Sequence, residues 1–237
     1  MWGATRDLRT KAIVLKRTNY GEADRILQLL TPEGKKSVIA KGVRREKSKL
    51  AGGIELFSVS EVVIHDGKGE LGILTSAKLL EHYDAFVGDV ELLDLGGRLM
   101  REASRRAEHA ETPEFFNILR QCMEAAQKHA ATGSPSRYKE LLWAWASMNM
   151  LMASGEEINL KYDTAGEKLS ASSRYVWNTE DGALTVRDGG PVTAEHIKLM
   201  RLMVSSPLEI CMKVAGFAGL LDEVLYIVRC AEQTREV

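Results

Sequence analysis

The chain has 237 residues, 45% of them hydrophobic and 27% charged, values of an ordinary folded globular protein that leave no reason to expect disorder. Its formal net charge of −1 hides an imbalance: residues 1–80 carry 15 Lys/Arg against 9 Asp/Glu, and the remainder carries 17 against 24. No run of about 18 apolar residues exists, which argues against a membrane span, and MWGATRDLRTK at the start lacks the apolar core of a secretory signal. The three cysteines, Cys122, Cys211 and Cys230, are odd in number and far apart, which fits buried thiols in a reducing, cytoplasmic compartment better than a disulfide framework.

Up to about residue 80 the pattern is that of short strands. Apolar runs at Ala12–Leu15, Ile26–Leu30, Val38–Ala40, Phe57–Ile64 and Leu71–Leu74 are punctuated by Gly21, Pro32 with Gly34, Gly42, Gly52-Gly53, and Gly67 with Gly69. Five such strands at close spacing predict a small antiparallel barrel or sandwich. HDGKG, His65 to Gly69, reads as a hairpin turn.

Beyond His82 the period becomes helical. Within 88–109, Leu92, Leu95, Leu99 and Ala103 share one face. Thr112-Pro113 predicts a helix start, followed by a stripe of Phe115, Ile118, Leu119, Cys122, Met123 and Ala126. Ser134-Pro135 predicts another, with Tyr138, Leu141, Leu142, Trp145, Met148 and Met152 as its stripe and Gly155 at its end. Residues 158–187 are polar, with strand-like pieces at Arg174–Trp177 and Leu184–Val186 around a turn at Glu180-Asp181-Gly182. Helices resume at Thr193; Ser206-Pro207-Leu208-Glu209 has the form of a capping box, and Gly216 and Gly219 precede a last helix that ends near Cys230. The class is α+β: a barrel domain over 1–80, then a helical domain over 81–237 with a polar insertion at about 158–187.

Catalytic constellations are absent from the pattern. The five histidines, His65, His82, His109, His129 and His196, are scattered and none sits in H-E-x-x-H. Neither a P-loop nor a G-x-S-x-G elbow is present, and Gly67 to Gly72 misses the dinucleotide-binding register. A protein that is not an enzyme is the expectation.

The charge imbalance has one source. Seven of the fifteen residues from Lys35 to Lys49 are basic (Lys35, Lys36, Lys41, Arg44, Arg45, Lys47, Lys49) and only Glu46 is acidic. Lys35 and Lys36 precede a strand; the others continue past Gly42 to Gly52-Gly53, as on an exposed, flexible loop. Repulsion among like charges is not relieved locally, so a polyanion or an acidic protein surface is implied. Lys and Arg so placed meet phosphates without reading bases. Trp2, Tyr20 and Phe57 are the few aromatics on offer, and Phe57 reads as core, so backbone charge dominates and sequence preference is weak.

The run from Lys11 to Tyr83, and within it YGEADRIL, KGVRREKSKLAGG and ELGILTSAKLLEHY, resembles the RecO family of bacterial recombination mediators in order and spacing. The resemblance implies an N-terminal OB-fold followed by a helical domain. It also implies binding to single- and double-stranded DNA, strand annealing, and help in loading RecA onto DNA coated by single-strand binding protein (SSB), together with RecR. Lys41, Arg44, Arg45, Lys47 and Lys49 carry over as DNA-contact candidates. The family's partner tail, the acidic and apolar C-terminus of SSB, needs a cationic groove with apolar walls; Arg98, Arg101 and Arg105, opposite the Leu92/Leu95/Leu99 stripe, are the candidates. Many members carry a four-cysteine zinc site in the insertion. The matching stretch here, 159–187, has neither cysteine nor histidine, so no metal or other cofactor is expected, and Tyr162, Tyr175, Val176, Trp177 and Leu184 are candidates for an apolar cluster in its place.

Overall fold

The computed structural model describes residues 7–65, 71–108, 112–133 and 136–233. The chain divides into two compact units, Met1–Ala130 and Ala131–Val237, so the first unit contains more than a barrel.

Its framework is a closed barrel in the order β1-β2-β3-β5-β4, where β1 is Asp7–Tyr20, β2 Asp24–Thr31, β3 Gly34–Ala40, β4 Ser58–His65 and β5 Gly72–His82. This is the closed five-stranded arrangement of an OB-fold. One pairing departs from the expected antiparallel pattern: β3 and β5 run parallel. β1 serves two neighbours. Its first half pairs with β4 and its second with β2, and the β2 register shifts between Val14 and Lys16. A bulge of this kind bends a strand around a barrel.

The run Ala12–Leu15 is continuously apolar because the strand is buried on both faces there. Ala12 and Val14 join Leu27, Leu29, Val38, Val62, Ile64 and Leu74 in the interior. Ile13 and its cross-strand partner Leu30 are fully buried outside that cluster. Helix α2, Val90–Arg106, packs against β1. Its stripe Leu92, Leu95, Leu99 and Ala103 is buried, and Asp89 caps it, accepting from the backbone N–H groups of Glu91 and Leu92. Gly96 is needed on this helix, because a Cβ there would lie 2.4 Å from the Phe57 ring. Phe57 stacks on Phe86, from the short α1 (Ala85–Gly88), at 4.6 Å between ring centres. Helix α3, Glu114–Thr132, begins where Thr112 Oγ1 accepts from Glu114 N and buries its predicted stripe.

In the second unit, α4 (Tyr138–Ala153) is buried on nearly every side, although Met152 of its predicted stripe is exposed. It packs on α5 (Ala194–Ser205) and α7 (Leu221–Gln233). The insertion forms a hairpin of β6 (Tyr175–Asn178) and β7 (Ala183–Val186). Tyr175, Trp177, Leu184 and Val192 are buried, but Tyr162 is exposed and Val176 only half-buried. The Ser206–Glu209 capping box does not form. α6 is only Leu208–Cys211, preceded by Pro207 with no side-chain cap, and Ser206 instead accepts from Trp145 Nε1 through its carbonyl. The reciprocal cap is at α5, where Thr193 N–H donates to His196 Nδ1. Ser134-Pro135 and the turn beyond His65 lie outside the described residues. No helix among the described residues is long and apolar enough to cross a membrane.

Candidate nucleic-acid interface

Between β3 and β4 the chain takes 41–57 to cross the end of the barrel, and this connection carries the basic segment. It is not a free loop. Arg45 N–H donates to Gly42 O, Ser48 N–H to Arg45 O, and Gly53 N–H to Leu50 O, at 3.0–3.1 Å, so the segment is a succession of hydrogen-bonded turns. Val43 and Ile54 enter the barrel interior. Burying one such side chain contributes about 1.5–3 kcal/mol, which offsets the ordering of one or two backbone residues. Gly53 lets the segment close on β5; a Cβ there would meet the Ala77 backbone at 2.5 Å.

The start of the segment is fastened to the β1–β2 turn. Asp24 Oδ1 accepts from Gly42 N–H at 2.6 Å, Ala23 O from Arg44 N–H at 2.9 Å, and Gly21 O from Arg44 Nη1 at 3.3 Å. Local sequence gives no sign of the Asp24 contact. The β2–β3 register does, since Arg25 opposite Ala40 brings Asp24 beside Gly42. With Val43 drawn inward, Lys41, Arg44, Arg45, Lys47 and Lys49 are left exposed. Among the described residues, Lys41, Arg45, Lys47 and Lys49 make no side-chain hydrogen bond or ion pair. The result is a cationic ridge on a fixed backbone, a form that supports phosphate contact at low ordering cost.

Lys35 is placed differently. It lies on β3, its side chain 12% exposed, ion-paired with Glu108 and donating to Ser104 O at 3.2 Å. Its ammonium ties β3 to α2. Lys36 is half-buried on the same strand, opposite Leu29.

On α2, Arg98, Arg101 and Arg105 are exposed, away from the buried stripe. Arg105 holds Glu102 at 2.7 Å, and Arg106, almost fully buried, holds it too. Burial works to raise the Glu102 carboxyl, but the two guanidinium groups outweigh it and keep it below the ordinary value. In the second unit, Met148, Met152, Ile158, Leu160 and Val204 wall a groove of about 690 Å³ that also presents Lys161 and Arg201. Arg201 donates from Nε and Nη2 to Leu160 O at 3.0 and 2.6 Å, which fixes the groove's rim.

The insertion does not fit zinc. It offers neither sulfur nor imidazole between 159 and 187, and no group of three or more His, Cys, Asp or Glu suited to a metal exists among the described residues. Its one buried carboxylate, Asp163, is occupied in accepting from the Ala165 and Glu167 backbone N–H groups at 2.9 Å. Cys122, Cys211 and Cys230 are buried and in no disulfide, and burial pushes the Cys122 thiol far up and that of Cys211 to about 11, the opposite of a reactive or ligating thiol.

Residues 6–83, the barrel and its basic segment, match the family model described as Recombination protein O N terminal. The chain is 32% identical over 211 residues to the DNA repair protein RecO of Roseiflexus sp. (strain RS-1), covering 85% of this chain and 71% of that one. It is 28% identical over 232 residues to the RecO of Dehalococcoides mccartyi (strain CBDB1), covering 94% and 88%. Over a shorter stretch of 112 residues it is 47% identical to the RecO of Heliobacterium modesticaldum (strain ATCC 51547 / Ice1). With the barrel matched by the family model and similarity carried through both units, the chain belongs to the RecO family.

Proposed function

We propose that this protein is a non-catalytic, DNA-binding recombination mediator in DNA repair, and that the ridge Lys41, Arg44, Arg45, Lys47 and Lys49 is its principal DNA-contact element. The observation that carries the reading is the exposure of five cations on a loop pinned by Val43 and Asp24. Family membership and the relatives' name, DNA repair protein, support it. Lys36 stands beside the ridge as a lesser contact; Lys35, committed to Glu108, contributes by holding α2. Within this reading the protein anneals strands and helps load RecA on SSB-coated single strands with RecR. The competing reading is an adaptor whose ridge docks an acidic protein. Titration of a labelled oligonucleotide at several salt concentrations separates the two. About four neutralised phosphates give a log–log slope of about −3 to −4, whereas an adaptor shows no DNA binding at moderate salt.

The acidic, apolar SSB tail has two candidate seats. The Arg98/Arg101/Arg105 face of α2 supplies charge, with Arg105 already shared with Glu102. The groove of the second unit supplies apolar walls and two cations, Lys161 and Arg201, with Glu157 also in its lining, so it matches the apolar part of such a peptide more fully than its acidic part. A tail-peptide titration decides between them. If the α2 face is the seat, the triple Arg→Ala variant loses most of the affinity; if the groove is the seat, Lys161→Ala weakens binding and the triple variant does not.

A further inference from the structure

Tyr20 ends β1 and is 55% exposed. Lone exposed aromatics are common and carry no meaning by themselves. What distinguishes Tyr20 is its attachment. It pairs across the turn with Asp24, so both side chains leave the same face of the hairpin, and the Asp24 carboxylate holds Gly42 at the root of the basic ridge. The Arg44 guanidinium donates to the carbonyl of Gly21, the residue next to Tyr20, and Arg44 N–H donates to Ala23 O. Three hydrogen bonds therefore fix the turn that follows Tyr20, Gly21 to Asp24, to the start of the cationic ridge. Gly21, at φ +54°, supplies the left-handed turn that makes this approach.

We infer that Tyr20 is a base-stacking platform: one unpaired base of a single strand stacks on its ring while the adjoining phosphates lie along Arg44, Arg45 and Lys47. The inference rests on the proposed DNA reading of the ridge and adds to it a means of distinguishing single strands from duplex. Bases in a duplex are already stacked on one another and offer the ring no free face, whereas every unpaired base has one, whatever its identity. Charge alone favours the duplex, which has the higher charge density. The platform supplies the opposing preference.

The test compares two labelled oligomers of equal length and equal charge, an oligo-dT and an abasic oligomer with the same sugar–phosphate backbone. The parent binds oligo-dT about 5- to 150-fold tighter than the abasic oligomer, the value of stacking one base. Tyr20→Ala and Tyr20→Leu bring the ratio close to one while leaving abasic affinity and salt slope at the parent's values; Tyr20→Phe keeps the ratio. Thermal melting of each variant checks the fold, which an exposed strand-end side chain does not support. Should Tyr20→Ala and Tyr20→Leu both retain the parent's ratio, the platform is refuted and the ridge reading stands. Should the parent bind neither oligomer, the ridge reading itself falls, and the platform with it.

Discussion

Asp24 and His196 each place a segment by accepting from a backbone N–H. The Asp24 carboxylate receives Gly42 N–H at the root of the basic segment. His196 Nδ1 receives Thr193 N–H at the first turn of α5, and a ring nitrogen accepts only when it carries no proton. Burial holds the imidazole below its ordinary value of 6.5, with Arg174 acting in the same sense and Glu223 against it. The sign follows from linkage: below 6.5 the unfolded chain takes up the proton before the folded one, so the cap's contribution is fully present above that pH and is lost as pH falls through the depressed folded value. The thermal unfolding midpoint, followed from pH 7.5 to 5, therefore declines on the acid side in the parent. His196→Gln, which retains an acceptor at this capping position but does not titrate, declines less steeply. Superimposable profiles for the two proteins would remove His196 as a source of the acid sensitivity.

At the scale of elements, the insertion is organised by backbone hydrogen bonds and apolar packing, with no cysteine or histidine between 159 and 187. Asp163 gathers the Ala165 and Glu167 N–H groups, Thr164 N–H reaches Leu184 O, and Tyr175 exchanges both backbone hydrogen bonds with Val192. Tyr175, Trp177 and Leu184 supply the buried apolar side. Purified, untagged protein is expected to hold zinc far below one equivalent and to melt at the same temperature after chelation; a stoichiometric, chelator-sensitive zinc contradicts this. These strands were legible because alternating and aromatic residues flank a turn with glycine at Gly182, as were β1 to β4, the start of β5 at Leu71–Leu74 and the helical stripes of α2 and α3. The rest of β5 was not. Its second half, Ser76 to Glu81, has helix-forming residues and no alternation, and only the ladder to β4 makes it a strand, with register shifts that absorb the mismatch. Propensity loses there to tertiary pairing. The cap at Ser206 failed for a similar reason: a backbone carbonyl needed by Trp145 in α4 set the local geometry. In the site, the cationic residues could be read directly because charge excess survives without a structure. Lys35 could not be separated from the rest, since its partner Glu108 is remote in sequence.

For the whole molecule, charge is separated along the chain: residues 1–80 have an excess of six positive charges and the remainder an excess of seven negative ones. The near-neutral total keeps non-specific attraction to polyanions low while one ridge retains a strong local field. The central claim is that this ridge meets DNA phosphates, and that it does so through charge on a preformed loop. The most direct test is the salt dependence of oligonucleotide binding by the quadruple variant Arg44→Ala, Arg45→Ala, Lys47→Ala and Lys49→Ala, set against the parent. All four side chains are exposed, so the variant keeps the parent's fold and melts within a few degrees of it. The account predicts that the parent's log–log slope of about −3 to −4 flattens strongly, leaving only the share of Lys41 and Lys36, with a similar loss of affinity for oligonucleotides of different sequence. A folded quadruple variant that binds DNA with the parent's affinity and the parent's slope would contradict it.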